Sequence, residues 1–369
     1  MRQIIIDFGK LDFWWLHFNL RIYGYGLMLV GGFLTGIWLA RRRARRFGES
    51  GDYVTNVGLL ALVGGVVGAR LAFVIERWDE LFSRAADPLL EVVNITSGGL
   101  IYYGGVVLAG VIVLLYLRLK RLPARRYLDI IAPSLMIGLA FGRMGCFLNG
   151  CCYGQRVDEG YAFAQRFPYA SQPLLKLDGD KSNVFGGSSV SPLWSHQLQQ
   201  GPQAGGLDAD LLRQSHPYLV HKDASGQAFA VEPGKLDKDQ AASVLADPAC
   251  RTLPVQPAQL FAMLNALLIA GLLLWFSRLR SREGQVFILM LVLYPVARFA
   301  EESLRGDNPH NLARFQLTHN QYTSMILLAT AVLAWLALRR LPASCGGALA
   351  QRQALVHIAK PQKKRKGQT

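Results

Sequence analysis

Three arginines interrupt long apolar stretches: Arg70 in VGGVVGARLAFVI, Arg143 in GLAFGRMGCFLNG and Arg298 in LVLYPVARFAEE. An arginine at the centre of a membrane span costs about 2.5–3.5 kcal/mol on insertion scales, so such residues usually have a reason to be there. Glu302 follows Arg298 by four positions and Arg305 by seven, which places all three on one helix face. Guanidinium groups pair bidentately with phosphate. Arginines converging at one depth therefore form a positively charged cavity suited to a phospholipid headgroup. The plainer alternative is a set of packing ion pairs, or arginines whose heads snorkel to the interface.

The elements that carry these residues follow from composition. Of the 369 residues, 51% are hydrophobic and only 18% charged, with a formal net charge of +15. An ordinary soluble domain carries about 25% charged residues. Disorder is excluded by the apolar content. A nucleic-acid groove is excluded by where the charge sits: residues 153–255 hold nine Lys/Arg against eleven Asp/Glu, and the basic surplus lies in short clusters between apolar runs. Seven runs are long enough to predict membrane spans, at about 22–40, 54–75, 98–117, 128–150, 257–276, 285–300 and 321–338. The first is followed, not preceded, by its charges and has no small-residue cleavage site, so it does not read as a signal peptide. The expectation is an all-α polytopic membrane protein with seven transmembrane helices.

The clusters after the first, third, fifth and seventh runs hold five, five, three and eight Lys/Arg, whereas 76–97 has two basic and five acidic residues. Positive residues stay in the cytoplasm, which predicts the N-terminus outside and the C-terminus cytoplasmic. The chain then divides into a membrane domain over 1–152, an extracytoplasmic insert over 153–255, a second membrane portion over 256–340 and a basic tail over 341–369. The insert is rich in Gly, Pro, Ser and Gln, and a stretch such as GGSSVSPLWSHQLQQGPQAGG reads as irregular. The tail ends KKRKGQT and suits anionic headgroups or simply solvent.

Cys146, Cys151 and Cys152 fall at the end of the fourth run, Cys250 in the insert and Cys345 beyond the last run. No Cys/His spacing of the usual zinc type accompanies CFLNGCC. An oxidising compartment permits Cys250 to pair with Cys151 or Cys152, but small polarizable residues packed at a helix end is the favoured reading.

GRMGCFLNGCCYG (142–154) resembles the signature of the prolipoprotein diacylglyceryl transferase family. RIYGYGLM (21–28) resembles the start of that family's first helix, with Tyr25 as the matching tyrosine. GGLIYYGGVVLAG (98–110), RVDEGYAFAQRFPYAS (156–171), QPAQLF (256–261), VARFAEESLRGD (296–307) and HNQYTS (319–324) resemble further family segments in the same order. The resemblance covers nearly all of the chain except about 172–250 and the tail.

The resemblance implies an enzyme of the bacterial inner membrane, its site open to the outer leaflet. Such enzymes move the diacylglyceryl group of phosphatidylglycerol to the lipobox cysteine of a prolipoprotein, forming a thioether and releasing glycerol phosphate. No metal or organic cofactor and no nucleic acid is implied. Arg143 matches the family's phospholipid-binding arginine, and Arg298 suits the departing phosphate. Asn149 and Gly154 match signature positions, and Tyr25, Arg70, Glu302 and Arg305 join them as substrate-site candidates. Several positions depart from the pattern: Tyr103 stands where the family commonly has His, Cys146 and Cys151 replace its Asn and Glu, and Gln256 and Ala262 replace a further His and Glu. Tyrosine, with a reference pKa near 10, is a poor base at neutral pH. His319 offers an imidazole near the expected depth, against the plainer reading of an interfacial histidine bonded to a nearby loop. A homologue that binds lipid or prolipoprotein without transfer, and a lipid transporter or receptor, remain the alternatives; the transporter lacks the inverted repeats expected of it.

Overall fold

A helix of at least 18 residues stands on each of the seven apolar runs: α1 Gly24–Arg46, α2 Gly51–Glu76, α3 Tyr102–Leu119, α4 Ala124–Asn149, α8 Ala258–Phe276, α9 Gln285–Glu302 and α10 His319–Arg340. This is a computed structural model, and it describes residues 3–13, 16–79, 92–93, 99–172, 175–176, 188–306 and 317–340. Most of the outside loop expected over 76–97, parts of the insert (173–174 and 177–187) and the basic tail (341–369) lie outside the described residues. Five of the helices, α2, α3, α4, α8 and α10, are long and apolar enough to cross a membrane. The arginines of RRRARR continue α1 as helix to Arg46 instead of forming a loop.

Two compact units are present, one of Met1–Thr35, Leu135–Leu272 and Met290–Leu333, the other of Gly36–Ser134, Leu273–Leu289 and Ala334–Thr369. In the second unit α2 and α3 pack through small residues. A Cβ at Gly68 would sit 2.5 Å from the carbonyl oxygen of Gly104, and one at Gly104 would sit 2.3 Å from Ala72 Cβ. Without a hydrophobic force between lipid-facing helices, such close backbone approach supplies the packing. Gly68 and Gly104 here serve helix contact.

The same unit contains a buried ion network that draws its arginines from the basic clusters between the apolar runs. Asp129, fully buried, accepts from the backbone N–H groups of Gly284 (2.8 Å) and Phe287 (2.9 Å) and pairs with Arg280. Arg126 lies between Glu49 (2.5 Å) and Glu283 (2.7 Å). Arg43 donates to the carbonyls of Asp129 (3.0 Å) and Ile130 (3.1 Å). Each buried charge is thus paired or hydrogen-bonded, the condition for tolerating it away from water.

The first unit opens with a hairpin, β1 Ile4–Phe13 and β2 Leu16–Tyr23, that the sequence reading does not include. Its start is tied to the insert: Gln3 N–H donates to Ser171 Oγ (3.0 Å) and Gln3 Oε1 accepts from Ser189 N–H (3.1 Å). β3 Leu175–Lys176 joins β1 in parallel.

Within the insert the loop-like stretch folds into α5 Pro192–Gln200, followed by α6 Ala209–Ser215, the hairpin β4 Val220–Lys222 and β5 Ala228–Ala230, and α7 Lys238–Ala246. Trp194 on α5 is fully buried, meets Tyr169 edge-on at 4.9 Å and donates from Nε1 to the carbonyl of Cys250 (3.0 Å). Burying one such aromatic gives a short polar segment a core to fold on. His216 bonds to Asp247 (3.0 Å) and Tyr218 (2.9 Å), and its hydrogen bond holds the Asp247 carboxyl below the usual range.

Candidate active site

The signature GRMGCFLNGCCYG is the last part of α4 and the turn after it, and local chemistry sets its shape. α4 stops after Asn149 because Gly150 takes a left-handed backbone (φ 76°), and the Gly150 N–H closes the helix on the carbonyl of Cys146 (2.9 Å). Cys152 follows with φ 58°, a region that side chains other than glycine rarely adopt. Gly145 has no room for a side chain: a Cβ there would stand 2.9 Å from the Tyr25 ring. The glycine lets Tyr25, at the start of α1, lie against α4.

Gly154 is likewise a close approach. Its N–H donates to the carbonyl of Gln256 (3.0 Å), and a Cβ would come within 2.6 Å of that oxygen. The turn is then laced to the end of α9, because Gln155 N–H donates to Leu304 O (2.9 Å) and Gly306 N–H to Tyr153 O (3.2 Å). An isolated bridge pairs Gly154 with Arg305. The signature turn and Arg305 therefore form one backbone structure. Gln256 enters it through its carbonyl, a contact that does not depend on side-chain type.

On α9, Arg298 and Glu302 form a buried ion pair (2.7 Å), and Asn320 Nδ2 donates to the other carboxylate oxygen of Glu302 (2.9 Å). Asn265 on α8 donates to the neighbouring Glu301 (2.7 Å). Arg143, half-buried, has no acidic partner among the described residues. It and Arg305 both act electrostatically on Cys152, and Arg143 also on Tyr25. The first unit thus carries Tyr25, Arg143, Asn149, Gly154, Arg298, Glu302 and Arg305, with Tyr25 packed on α4, Gly154 bridged to Arg305 and Arg298 paired with Glu302.

The other candidates are placed differently. Arg70 belongs to the second unit, where its Nε and Nη1 donate to the carbonyls of Val92 (3.0 Å) and Gly99 (3.1 Å) and its guanidinium lies over Phe73. That is a structural role, holding backbone ahead of α3. Tyr103 is also in the second unit, edge-on to Tyr102 at 5.7 Å. His319 is the exposed first residue of α10, and its neighbour Asn320 is the one directed at Glu302. Asn320, the second residue of α10, is a functional candidate that the sequence signalled only by its polar type at the mouth of an apolar helix. Cys146, Cys151, Cys152 and Cys250 are all free thiols. The pairing of Cys250 with Cys151 or Cys152 is therefore replaced by a thiol in the insert core, which burial pushes up to about 12.

The sequence model of the family described as "Prolipoprotein diacylglyceryl transferase" matches residues 13–337. The chain belongs to that family. It is accordingly a transferase, and its five apolar helices make it a multi-pass membrane protein. Among curated relatives, the phosphatidylglycerol–prolipoprotein diacylglyceryl transferase of Clostridium tetani is 24% identical over 85% of this chain and 92% of its own length. The one from Corynebacterium efficiens is 27% identical over 88% and 80% respectively. A Streptococcus pyogenes enzyme of the same name reaches 35% over 38% of this chain and 52% of its own length.

Asn320 and His319 make opposite predictions within this family site. Asn320→Ala leaves the Glu302 carboxylate with one hydrogen bond fewer and should cost roughly 1.5–3 kcal/mol of site stability, the range for a hydrogen bond to a charged group. His319→Gln, at an exposed helix start, should keep transfer within a few-fold of the parent. Initial rates from phosphatidylglycerol to a lipobox peptide check both. A loss of about 10²–10⁴-fold in His319→Gln, the range for a general base, would reinstate the histidine.

Proposed function

We propose that the protein transfers the diacylglyceryl group of phosphatidylglycerol to the lipobox cysteine thiol of prolipoproteins, forming a thioether and releasing glycerol phosphate. The observation that carries this reading is Arg143: a cation without an acidic partner among the described residues, at the end of the signature helix beside Tyr25 and the Arg305-bearing turn. A phosphate oxygen is the natural partner for such a guanidinium. Arg298 is held in orientation by Glu302, and it supplies a second positive centre as the phosphate leaves. Tyr25, Asn149 and Gly154 shape the place where the lipid and the acceptor meet.

In the cell the protein sits in the bacterial inner membrane with seven spans. Residues 1–152 and 256–340 form the membrane portions, 153–255 lies outside and 341–369 lies in the cytoplasm, so that the site opens to the outer leaflet. Reporter fusions after Arg46, Lys120 and Arg282 should read cytoplasmic, and those at Asp87 and Gly201 should read outside. A cytoplasmic signal at Gly201 would overturn the orientation. Complementation of a strain depleted of its own transferase tests the function: growth and lipidated lipoprotein are expected. Membrane-inserted protein that fails to restore either would favour the lipid-binding homologue, in which Tyr103 replaces a needed histidine.

A further inference from the structure

The turn after α4 holds three cysteine thiols, Cys146, Cys151 and Cys152, whose sulfur atoms all lie within 4.8 Å of one another. The helix end puts them there. Cys146 is in the last turn of α4, and the N–H of Cys151 returns to its carbonyl (3.2 Å). The Cys151 carbonyl is pinned by Nε2 of the buried Gln259 (2.9 Å). The left-handed backbone at Cys152 then brings the third thiol back toward the first two. Tetrahedral zinc with sulfur at about 2.3 Å needs sulfurs about 3.8 Å apart, so side-chain rotation of an ångström or so closes the set on one ion. All three cysteines are partly exposed. Three protein ligands leave the fourth position of a tetrahedral ion to water or substrate, the arrangement of catalytic and not structural zinc sites.

We infer that Cys146, Cys151 and Cys152 bind one zinc-like divalent cation whose open fourth position takes the thiolate of the acceptor cysteine. This inference rests on the transfer reading above and supplies what that reading lacks, a source of nucleophilic sulfur where Tyr103 stands in place of the family's histidine. It also departs from the absence of metal that the family resemblance implies. A free cysteine has a reference pKa near 8.5 and is mostly protonated at neutral pH, whereas a thiol coordinated to zinc is deprotonated outright. Three thiolates on a divalent ion leave a net negative charge, and Arg143 on α4 and Arg305, bridged to Gly154, are cations of the same helix end and turn. In the step itself the acceptor S–H proton passes to solvent as sulfur binds the metal. A sulfur lone pair then forms the S–C bond to the glyceryl carbon, the C–O bond breaks, and its electron pair leaves with glycerol phosphate. The metal keeps its charge throughout.

The test uses the full-length protein in detergent, reduced, stripped with chelator and loaded with Co²⁺ as a spectroscopic probe. About one Co²⁺ per chain is expected, with thiolate-to-cobalt charge-transfer absorption and the visible bands of a tetrahedral site. Both should vanish in Cys146→Ala and Cys152→Ala and persist in Cys345→Ala. A lipobox peptide should shift the spectrum, and the same peptide with Ser in place of its Cys should not. To separate loss of fold from loss of ligand, the parent protein carries an independent arm: stripping should abolish transfer and Zn²⁺ should restore it. Folded protein without charge-transfer absorption, or equal Co²⁺ binding in the Cys146/Cys152 double variant, would overturn the inference. So would full-rate transfer by the stripped protein, an outcome that leaves the transferase reading intact. Failure of that reading looks different: no transfer under any metal load, with the cobalt spectrum indifferent to the cysteine peptide.

Discussion

Arg143→Ala should abolish transfer while the protein accumulates in the membrane at its normal level. Both halves follow from the surroundings of this side chain. Arg143 has no acidic partner among the described residues, so its removal strands no buried carboxylate and breaks no ion pair. What is lost is a guanidinium placed to meet a phosphate. Removing one such preorganised donor costs about 2.7–4 kcal/mol, or roughly 10²–10³ in rate. Arg143→Lys should recover only part of it, because an ammonium is a point charge and does not reproduce a planar two-bond contact. Arg298→Ala should differ in kind: it leaves Glu302 buried without its cation, so folded protein falls together with rate. Membrane levels by immunoblot beside initial rates separate the two outcomes. Normal turnover in Arg143→Ala would remove the residue from the phosphate site.

The largest structural effect is expected at Asp129. This carboxylate is fully buried and holds the turn before α9 through the N–H groups of Gly284 and Phe287 while pairing with Arg280. Asp129→Ala leaves a buried guanidinium and two backbone donors without their acceptor. Breaking a buried pair by deleting one partner costs about 3–5 kcal/mol, a large share of a total stability of about 5–15 kcal/mol. Little monodisperse protein should be recovered in detergent from Asp129→Ala. Asp129→Asn keeps one carbonyl acceptor and should be intermediate. A parent-like melting temperature for Asp129→Ala would show that the network contributes little.

The helices were legible because a continuous apolar run leaves few alternatives to a helix, and α2, α4, α8 and α9 end within about four residues of the runs that predict them. The Arg298 and Glu302 pair was legible from helical spacing, whereas Arg305, expected on the same helix face, lies past the end of α9 in the turn bridged to Gly154. Other features were hidden by what linear patterns omit. Arg43, Arg126 and Arg280 lie in clusters that read as cytoplasmic charge, and only tertiary contact turns them into partners of Asp129, Glu49, Glu283 and backbone carbonyls. The insert looked irregular because its core is assembled from single residues far apart, such as Tyr169, Trp194, Leu219 and Cys250. CFLNGCC lacks the usual zinc spacing and so did not favour a metal in the sequence, because its thiols are gathered by a helix end and a left-handed cysteine, not by a repeated spacing. Arg70, singled out for its type, is explained by the carbonyls of Val92 and Gly99.

The most direct measurement is the mass of a lipobox peptide after incubation with phosphatidylglycerol vesicles and the purified protein. Transfer predicts a diacylglyceryl adduct on the cysteine, formed together with free glycerol phosphate. Mild alkali should remove its acyl chains and leave a glyceryl group on sulfur, because the esters hydrolyse and a thioether does not. A peptide of unchanged mass, or an adduct that alkali removes completely, would contradict the account.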